Sequence, residues 1–260
     1  MLKAFFTSAT GMRAQELLID NTANNLANVN TTGFKRHHLQ FADVLYDVSR
    51  LPGAPTSEGQ TSPIGLQIGN GVRPVGTSTL WTQGTLLQSG EQTHMAIEGE
   101  GFFKIIMPDG SFAYTRDGSF YKDANGLLVN GDGRPLEPNL NIPLDAQRIS
   151  ISQTGQIEVM QNGIPSIIGN IQLVRFSNPT GLENIGGNLL RETLASGPEI
   201  IGEPGLEGLG MIRQGFLEGS NVEVVAEMIN LITAQRAYEI NSRAIRAGDE
   251  MLSNTTRLLG

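Results

Sequence analysis

Over residues 220–260 large apolar side chains recur at seven-residue steps, Val224, Leu231, Tyr238, Ile245, Leu252 and Leu259, and small ones fall between them at Ala234, Asn241, Gly248 and Thr255. Alternating steps of three and four are the helical period, and a strict heptad is what packing against a second helix requires. The large-small alternation lets that second helix come close. Ser220 and Glu223 stand three apart as in a capping box, so the helix is predicted to start there. Glu239 and Arg243 add an exposed i,i+4 pair. A matching stripe lies at the other end of the chain: Leu2, Phe5, Ala9, Met12, Glu16, Ile19, Ala23 and Leu26, interrupted only by Glu16. Gly11 weakens this helix by about 1 kcal/mol relative to alanine. It ends near residues 28–33, where Asn-Val-Asn-Thr-Thr-Gly favours a turn. Both chain ends are therefore predicted to meet as one antiparallel helical pair, with everything between carried as an insertion. One stripe per helix leaves Phe6, Leu17, Leu18, Val225, Ile229 and Ile232 facing outward, and other subunits are expected to cover them.

Between the helices the period changes. Residues 31–90 read as an extended connection, with a short helix or turn around Phe41, Val44, Leu45 and Tyr46. Leu51, Pro52, Gly53 and Pro55 open a stretch of chain-breaking and polar residues. Ordered segments of this length without regular structure are usually functional. The low charge of residues 51–74, together with Ile64, Leu66, Ile68 and Val72, predicts that the segment packs against something rather than hanging free. From about residue 95, short strands alternate with tight turns: 96–107, 111–116, 127–129, 148–152, 156–160 and 164–176. Asp109-Gly110, Asp117-Gly118, Asn125-Gly126, Asn130-Gly131 and Asn162-Gly163 punctuate them, and such dipeptides suit positive φ at hairpin turns. The expected fold is α+β: terminal helices paired as a coiled-coil-like helical domain, with an inserted extended region and an antiparallel all-β domain. The expected divisions are 1–30 and 220–260 for the helical core, 31–90 for the connection, 91–200 for the β-domain and 201–219 for a glycine-rich return path.

Composition narrows the function. The net charge of −8 argues against nucleic-acid binding, which needs a basic patch. A 39% apolar content and 32 glycines imply a modest core with many turns, completed by assembly. No apolar run approaches the ~20 residues of a membrane span. Arg13, Glu16 and Asp20 interrupt the opening apolar patch, so no cleaved signal peptide is expected.

Four segments carry a family likeness. Residues 24–35, Asn-Asn-Leu-Ala-Asn-Val-Asn-Thr-Thr-Gly-Phe-Lys, resemble the N-terminal signature of bacterial flagellar rod and hook proteins. Residues 99–103 (Gly-Glu-Gly-Phe-Phe), 114–120 (Tyr-Thr-Arg-Asp-Gly-Ser-Phe) and 234–242 (Ala-Gln-Arg-Ala-Tyr-Glu-Ile-Asn-Ser) resemble the same family in the same order. The stretch from Leu51 through Leu66, Ile68 and Arg73 is similar to the segment that distinguishes distal rod subunits from hook subunits and stiffens the straight rod. The resemblance implies a structural subunit that leaves the cell through the flagellar type III apparatus and polymerises helically in the periplasm. Its implied partners are its own copies, other rod proteins, the hook protein and surrounding ring proteins. Among the residues expected to carry assembly, Leu2, Phe5, Met12, Ile19 and Leu26 lie in the first helix. Val224, Leu231, Ala234, Tyr238, Asn241, Ile245, Gly248 and Leu252 lie in the second. Asn24, Asn25 and Asn28 admit two readings, helix-end capping or fixing register between helices, and the resemblance favours the second. A proximal rod or hook-type subunit stays open as an alternative. So does a secreted protein that binds or hydrolyses cell-wall carbohydrate with the β-domain.

Chemistry argues for no enzyme. His37 and His38 are adjacent and His94 is remote, with no cysteine to complete a zinc set. Asp123-Ala124-Asn125-Gly126 lacks the first acidic ligand of a calcium loop, Tyr121 standing in that place, and no Glu follows at the required spacing, so it reads as a hairpin turn. No dinucleotide, phosphate-loop or nucleophile-elbow spacing is present. No cofactor, metal or catalytic residue is expected.

Overall fold

A computed structural model of the chain describes residues 2–53, 63–161 and 163–259, without the side chains of residues 2, 255, 256, 258 and 259. Pro55 of the rod-type stretch and Asn162 of the last turn dipeptide fall outside the described residues, as do the side chains of Leu2, Thr255 and Leu259. The chain forms mixed α and β structure in two units: Met1–Leu26, His37–Ser78 and Glu223–Gly260 make the first, Ala27–Arg36 and Thr79–Val222 the second.

The first unit holds helix α1 (Leu2–Ala27), strands β1 (His37–Asp43), β2 (Tyr46–Arg50), β3 (Leu66–Gly69) and β4 (Val72–Thr79), and helix α2 (Val224–Leu259). Strand β1 pairs with β4 and β2 with β3, so the expected helix or turn near Phe41 is strand followed by a bend. The helices approach at three points that run in opposite directions along them. A Cβ on Gly248 would lie 2.8 Å from the Phe5 ring, and one on Gly11 3.0 Å from the Asn241 amide. Asn25 Nδ2 stands 3.5 Å from Glu227 Oε2. The buried side of α1 is rotated from the predicted stripe: Ala14, Thr22 and Asn25 are buried, whereas Ala9, Glu16 and Ala23 are exposed. The reason is that α1 also meets the strands. Thr10 Oγ1 accepts from Val72 N, and Asn21 donates to His37 O. Leu17 and Leu18 are consequently half-buried rather than outward.

The predicted capping box does not form. Ser220 Oγ accepts from Val222 N, two residues on, while α2 begins at Val224 and its first backbone bond runs from Glu227 N to Glu223 O. An ST-turn has taken the serine that the spacing assigned to the cap.

The second unit is built of antiparallel strands: β5 (Leu86–Gln88), β6 (Met95–Glu98), β7 (Phe103–Ile106), β8 (Phe112–Thr115), β9 (Tyr121–Lys122), β10 (Leu128–Val129), β11 (Arg148–Ile151), β12 (Gln156–Gln161), β13 (Ile164–Asn170), β14 (Leu173–Arg175), β15 (Glu183–Gly186), β16 (Leu189–Arg191), β17 (Ile200–Gly202), β18 (Met211–Gln214) and β19 (Phe216–Glu218). Their sheets are β15-β16-β8-β7, β11-β12-β13, and the pairs β9-β10, β14-β17, β6-β18 and β5-β19. Met95, Ile97, Phe103, Ile105, Phe120, Ile157, Leu173 and Ile212 fill the main core. Phe102 points the other way from Phe103, as successive strand residues do, and joins Tyr114, Val174 and Phe176 in a second cluster covered by Trp81. The span 96–107, predicted as one strand, is broken by the Gly99-Glu100-Gly101 turn into β6 and β7. The expected return path 201–219 carries β17, β18 and β19.

Positive φ occurs at Gly110, Gly126 and Gly163 but not at Gly118 or Gly131. Gly118 is needed for a different reason: a Cβ there would sit 1.4 Å from the carbonyl oxygen of Met95. Gly118→Ala is expected to push β6 out of the core and cost at least 1–3 kcal/mol of overpacking. A urea midpoint unchanged from the parent chain would contradict this.

Candidate functional site

The candidate site is a set of surfaces rather than a cleft. Helix α2 carries two apolar faces. On one, Leu231, Asn241, Ile245 and Leu252 are half-buried, and Ala234 and Gly248 are buried. On the other, Val225, Met228, Ile229 and Ile232 follow i, i+3, i+4, i+7 spacing and stay exposed, Ile229 at 58%. Val224 and Tyr238, expected on the inner stripe, are instead about as exposed as Ile232. In α1, Phe5, Met12, Ile19 and Leu26 are half-buried, and Phe6 is exposed. An apolar face of this length on a helix rich in charge elsewhere marks an interaction surface.

The rod-type stretch supplies a second surface. In the β2–β3 ribbon Tyr46 pairs with Gly69 and Val48 with Gln67, while Ile68 faces Asp47 and Leu66 faces Arg50 beyond a bulge. Tyr46 and Val48 therefore stand on one side and Leu66 and Ile68 on the other, and all four are exposed. Leu51, Pro52, Gly53 and Arg73 are exposed beside them. A two-stranded ribbon with apolar side chains on both faces has little stability by itself.

Three polar clamps hold the signature segments. Asn25 copies a neighbouring strand: its Nδ2 donates to His37 O at 2.9 Å and its Oδ1 accepts from His37 N at 2.9 Å. Its role is thus to fasten β1 to α1, with Glu227 also within reach. Asn24 is exposed, and Asn28 accepts from Thr31 in the turn that follows α1. Asn221 Oδ1 accepts from Arg36 N, and its Nδ2 donates to Leu80 O and Thr82 O.

The third clamp is ionic. Glu218, fully buried, receives Lys35 Nζ at 2.6 Å and Arg116 Nε at 3.0 Å, and accepts from Gly84 N at 2.9 Å. The Arg116 Nε approach is off-axis, an ion pair rather than an aligned hydrogen bond. Arg116 Nη1 donates to the carbonyls of Gly99 and Gly101. Lys35 belongs to the first motif, Arg116 to the third, and the two carbonyls to the second, so three motifs meet at one carboxylate. Burial lowers the Lys35 pKa, and the Glu218 charge opposes that shift. Burial also lowers the His37 imidazole from its ordinary 6.5. The unfolded chain then binds that proton more readily, so this group costs nothing above pH 6.5 and withdraws stability as pH falls through its lower folded value. Glu218, Asn221 and Trp81 were not picked out by sequence. The one available signal was a lone carboxylate in the short apolar run Phe216-Leu217-Glu218.

Among the described residues no group of three His, Cys, Asp or Glu could hold a metal ion, and no helix is long and apolar enough to cross a membrane.

Three protein families match in succession: a flagella basal body rod protein family over residues 6–35, the flagellar hook protein FlgE/F/G D1 domain over 96–159, and the flagellar basal body rod FlgEFG protein C-terminal family over 213–258. The order of helix, β-domain and helix with these matches defines a flagellar rod and hook class protein. The chain is 45% identical to the flagellar basal-body rod protein FlgG of Borreliella burgdorferi over 99% of both chains. It is 38% identical to FlgG of Bacillus subtilis, again over 99% of each, and 30% identical to that organism's flagellar hook-basal body complex protein FlhP over 97%. The chain belongs to the flagellar basal-body rod protein FlgG family, the distal rod members of the class. It is a structural subunit of the flagellar basal body and not an enzyme.

Proposed function

We propose that copies of this chain polymerise into a straight helical tube that carries motor torque to the hook and filament. The terminal helices pair in coiled-coil fashion. The observation that carries this reading is the second apolar face of α2, Val225 to Ile232, left exposed although the first face meets α1. Burying each such side chain contributes about 1.5–3 kcal/mol, and an open series of heterologous contacts builds a filament. The two-faced β2–β3 ribbon lies between adjacent subunits and limits their sliding. The subunit reaches the periplasm through the flagellar type III apparatus without signal cleavage. There it meets the proximal rod, the hook protein and the surrounding rings.

Deleting the gene and imaging the remaining basal bodies tests the position. A rod that lacks only its outer portion is the expected result. A full-length rod bearing a hook would contradict it.

A further inference from the structure

A small cavity in the β-domain has no role so far. Its volume is about 80 Å³ and its walls are Trp81, Phe102, Phe176, Pro179, Arg175 and the Gly99–Gly101 turn beside Arg116. Trp81 and Phe176 each stand edge-on to Phe102, 5.1 and 5.9 Å between ring centres. Two donors on its lining are idle. Among the described residues the buried Trp81 indole N–H has no acceptor, and the Arg175 guanidinium makes no hydrogen bond or ion pair. A buried donor without an acceptor costs about 1–3 kcal/mol, so an occupant bringing an acceptor would relieve Trp81, and a carboxylate would pair with the half-buried Arg175. The space is of the order of three waters at about 30 Å³ each, which suits one branched aliphatic side chain.

The same domain presents such a side chain. Pro143 to Ala146 form a tight turn closed by Ala146 N donating to Pro143 O, with Leu144 and Asp145 at its tip. Leu144 is 71% exposed. Asp145 Oδ1 accepts from Gln161 at the tip of the β12–β13 hairpin, and the other carboxylate oxygen is unused among the described residues. The cavity lies toward the opposite end of that hairpin. Gly210 N donates to Glu100 O, and Ile212 N donates to Gln153 O in the β11–β12 turn. Residues 156 to 161 separate the two ends by roughly 17 Å at 3.3 Å per residue. Leu144 therefore cannot enter the cavity of its own chain. Leu194, fully exposed, sits beside the cavity, where Asn178 donates to Ala195 O. A contact made through it would join like ends, and like-to-like contacts close into dimers rather than propagate.

We infer that the Leu144–Asp145 turn of one copy seats in the Trp81–Phe102–Phe176 cavity of the next, Leu144 filling the apolar space and Asp145 meeting Arg175. This is a head-to-tail contact of the kind that extends without closure, with an anchor side chain in a preformed pocket and a charge-assisted bond at its rim. It rests on the reading of the chain as a self-assembling subunit and says which parts of the β-domain touch.

The full chain has no cysteine, which makes a crosslinking test direct. In Leu144→Cys/Glu100→Cys, mild oxidation of filaments is expected to give a ladder of dimers, trimers and longer chains, and the dilute monomer none. If parent filaments form and the paired variant still runs as monomer after oxidation, the inference falls and the rod reading stands. If the parent chain forms no filament at any concentration, both fall. A charge exchange gives an independent reading. Arg175→Glu and Asp145→Arg are each expected to raise the assembly threshold at least tenfold, and the double variant to return it within threefold. A double variant whose loss is the product of the two single losses overturns the pairing. The crosslink decides alone if Arg175→Glu does not fold.

Discussion

Glu218→Gln is expected to destabilise the β-domain by about 3–5 kcal/mol, the cost of breaking a buried ion pair from one side. Among the described residues Glu218 is the only acidic group between Lys35 and Arg116, and all three side chains are almost wholly buried. Glutamine keeps the shape and can still accept from Gly84 N, but it leaves two cations facing each other without a counter-charge. Domains of this kind have only about 5–15 kcal/mol in total, so the loss would be plain in a urea midpoint. Lys35→Met placed on the Glu218→Gln background should recover part of it, because one of the stranded charges is removed. Equal midpoints for the parent chain and Glu218→Gln would show that the clamp contributes no stability.

Ile229→Asp is expected to leave the monomer within about 0.5 kcal/mol of the parent, as exposed substitutions usually do, and to suppress filaments at the parent's assembly threshold. The side chain is 58% exposed and central to the outward face of α2. If a neighbour covers it, the change loses about 2–3 kcal/mol of apolar burial per contact and adds the cost of burying a carboxylate. At 1.4 kcal/mol per tenfold, the threshold for assembly should rise by roughly a hundredfold or more, read by sedimentation. Filaments of Ile229→Asp at the parent threshold would put the contact elsewhere.

Much of this was legible in the pattern of the chain. The two long helices follow from period alone, and the β-character of the middle follows from the turn dipeptides. Period could not say which side of α1 is buried, because the strands that Thr10, Asn21 and Asn25 meet come from a segment with no regular pattern. Ser220 shows a similar limit: a motif of two residues fits several local structures, and the backbone chose the ST-turn. Gly118 was read as a turn residue, whereas its neighbour across the chain, Met95, explains it. The ion clamp was hidden because its three members lie far apart in sequence, and a lone carboxylate has no period. The cavity was hidden for the same reason, since Trp81 and Phe176 come together only in the folded domain.

In the proposed assembly the second apolar face of α2 is closed by other copies of the chain. Met228 lies on that face and is half-exposed in the single chain, so its thioether reports directly on closure. Dilute peroxide should oxidise Met228 readily in the monomer and at least tenfold more slowly in filaments or purified rods, with free methionine added to both samples as the reference. Oxidation of Met228 at the same rate in both states would show that face open to water in the assembly and would contradict closure by other copies.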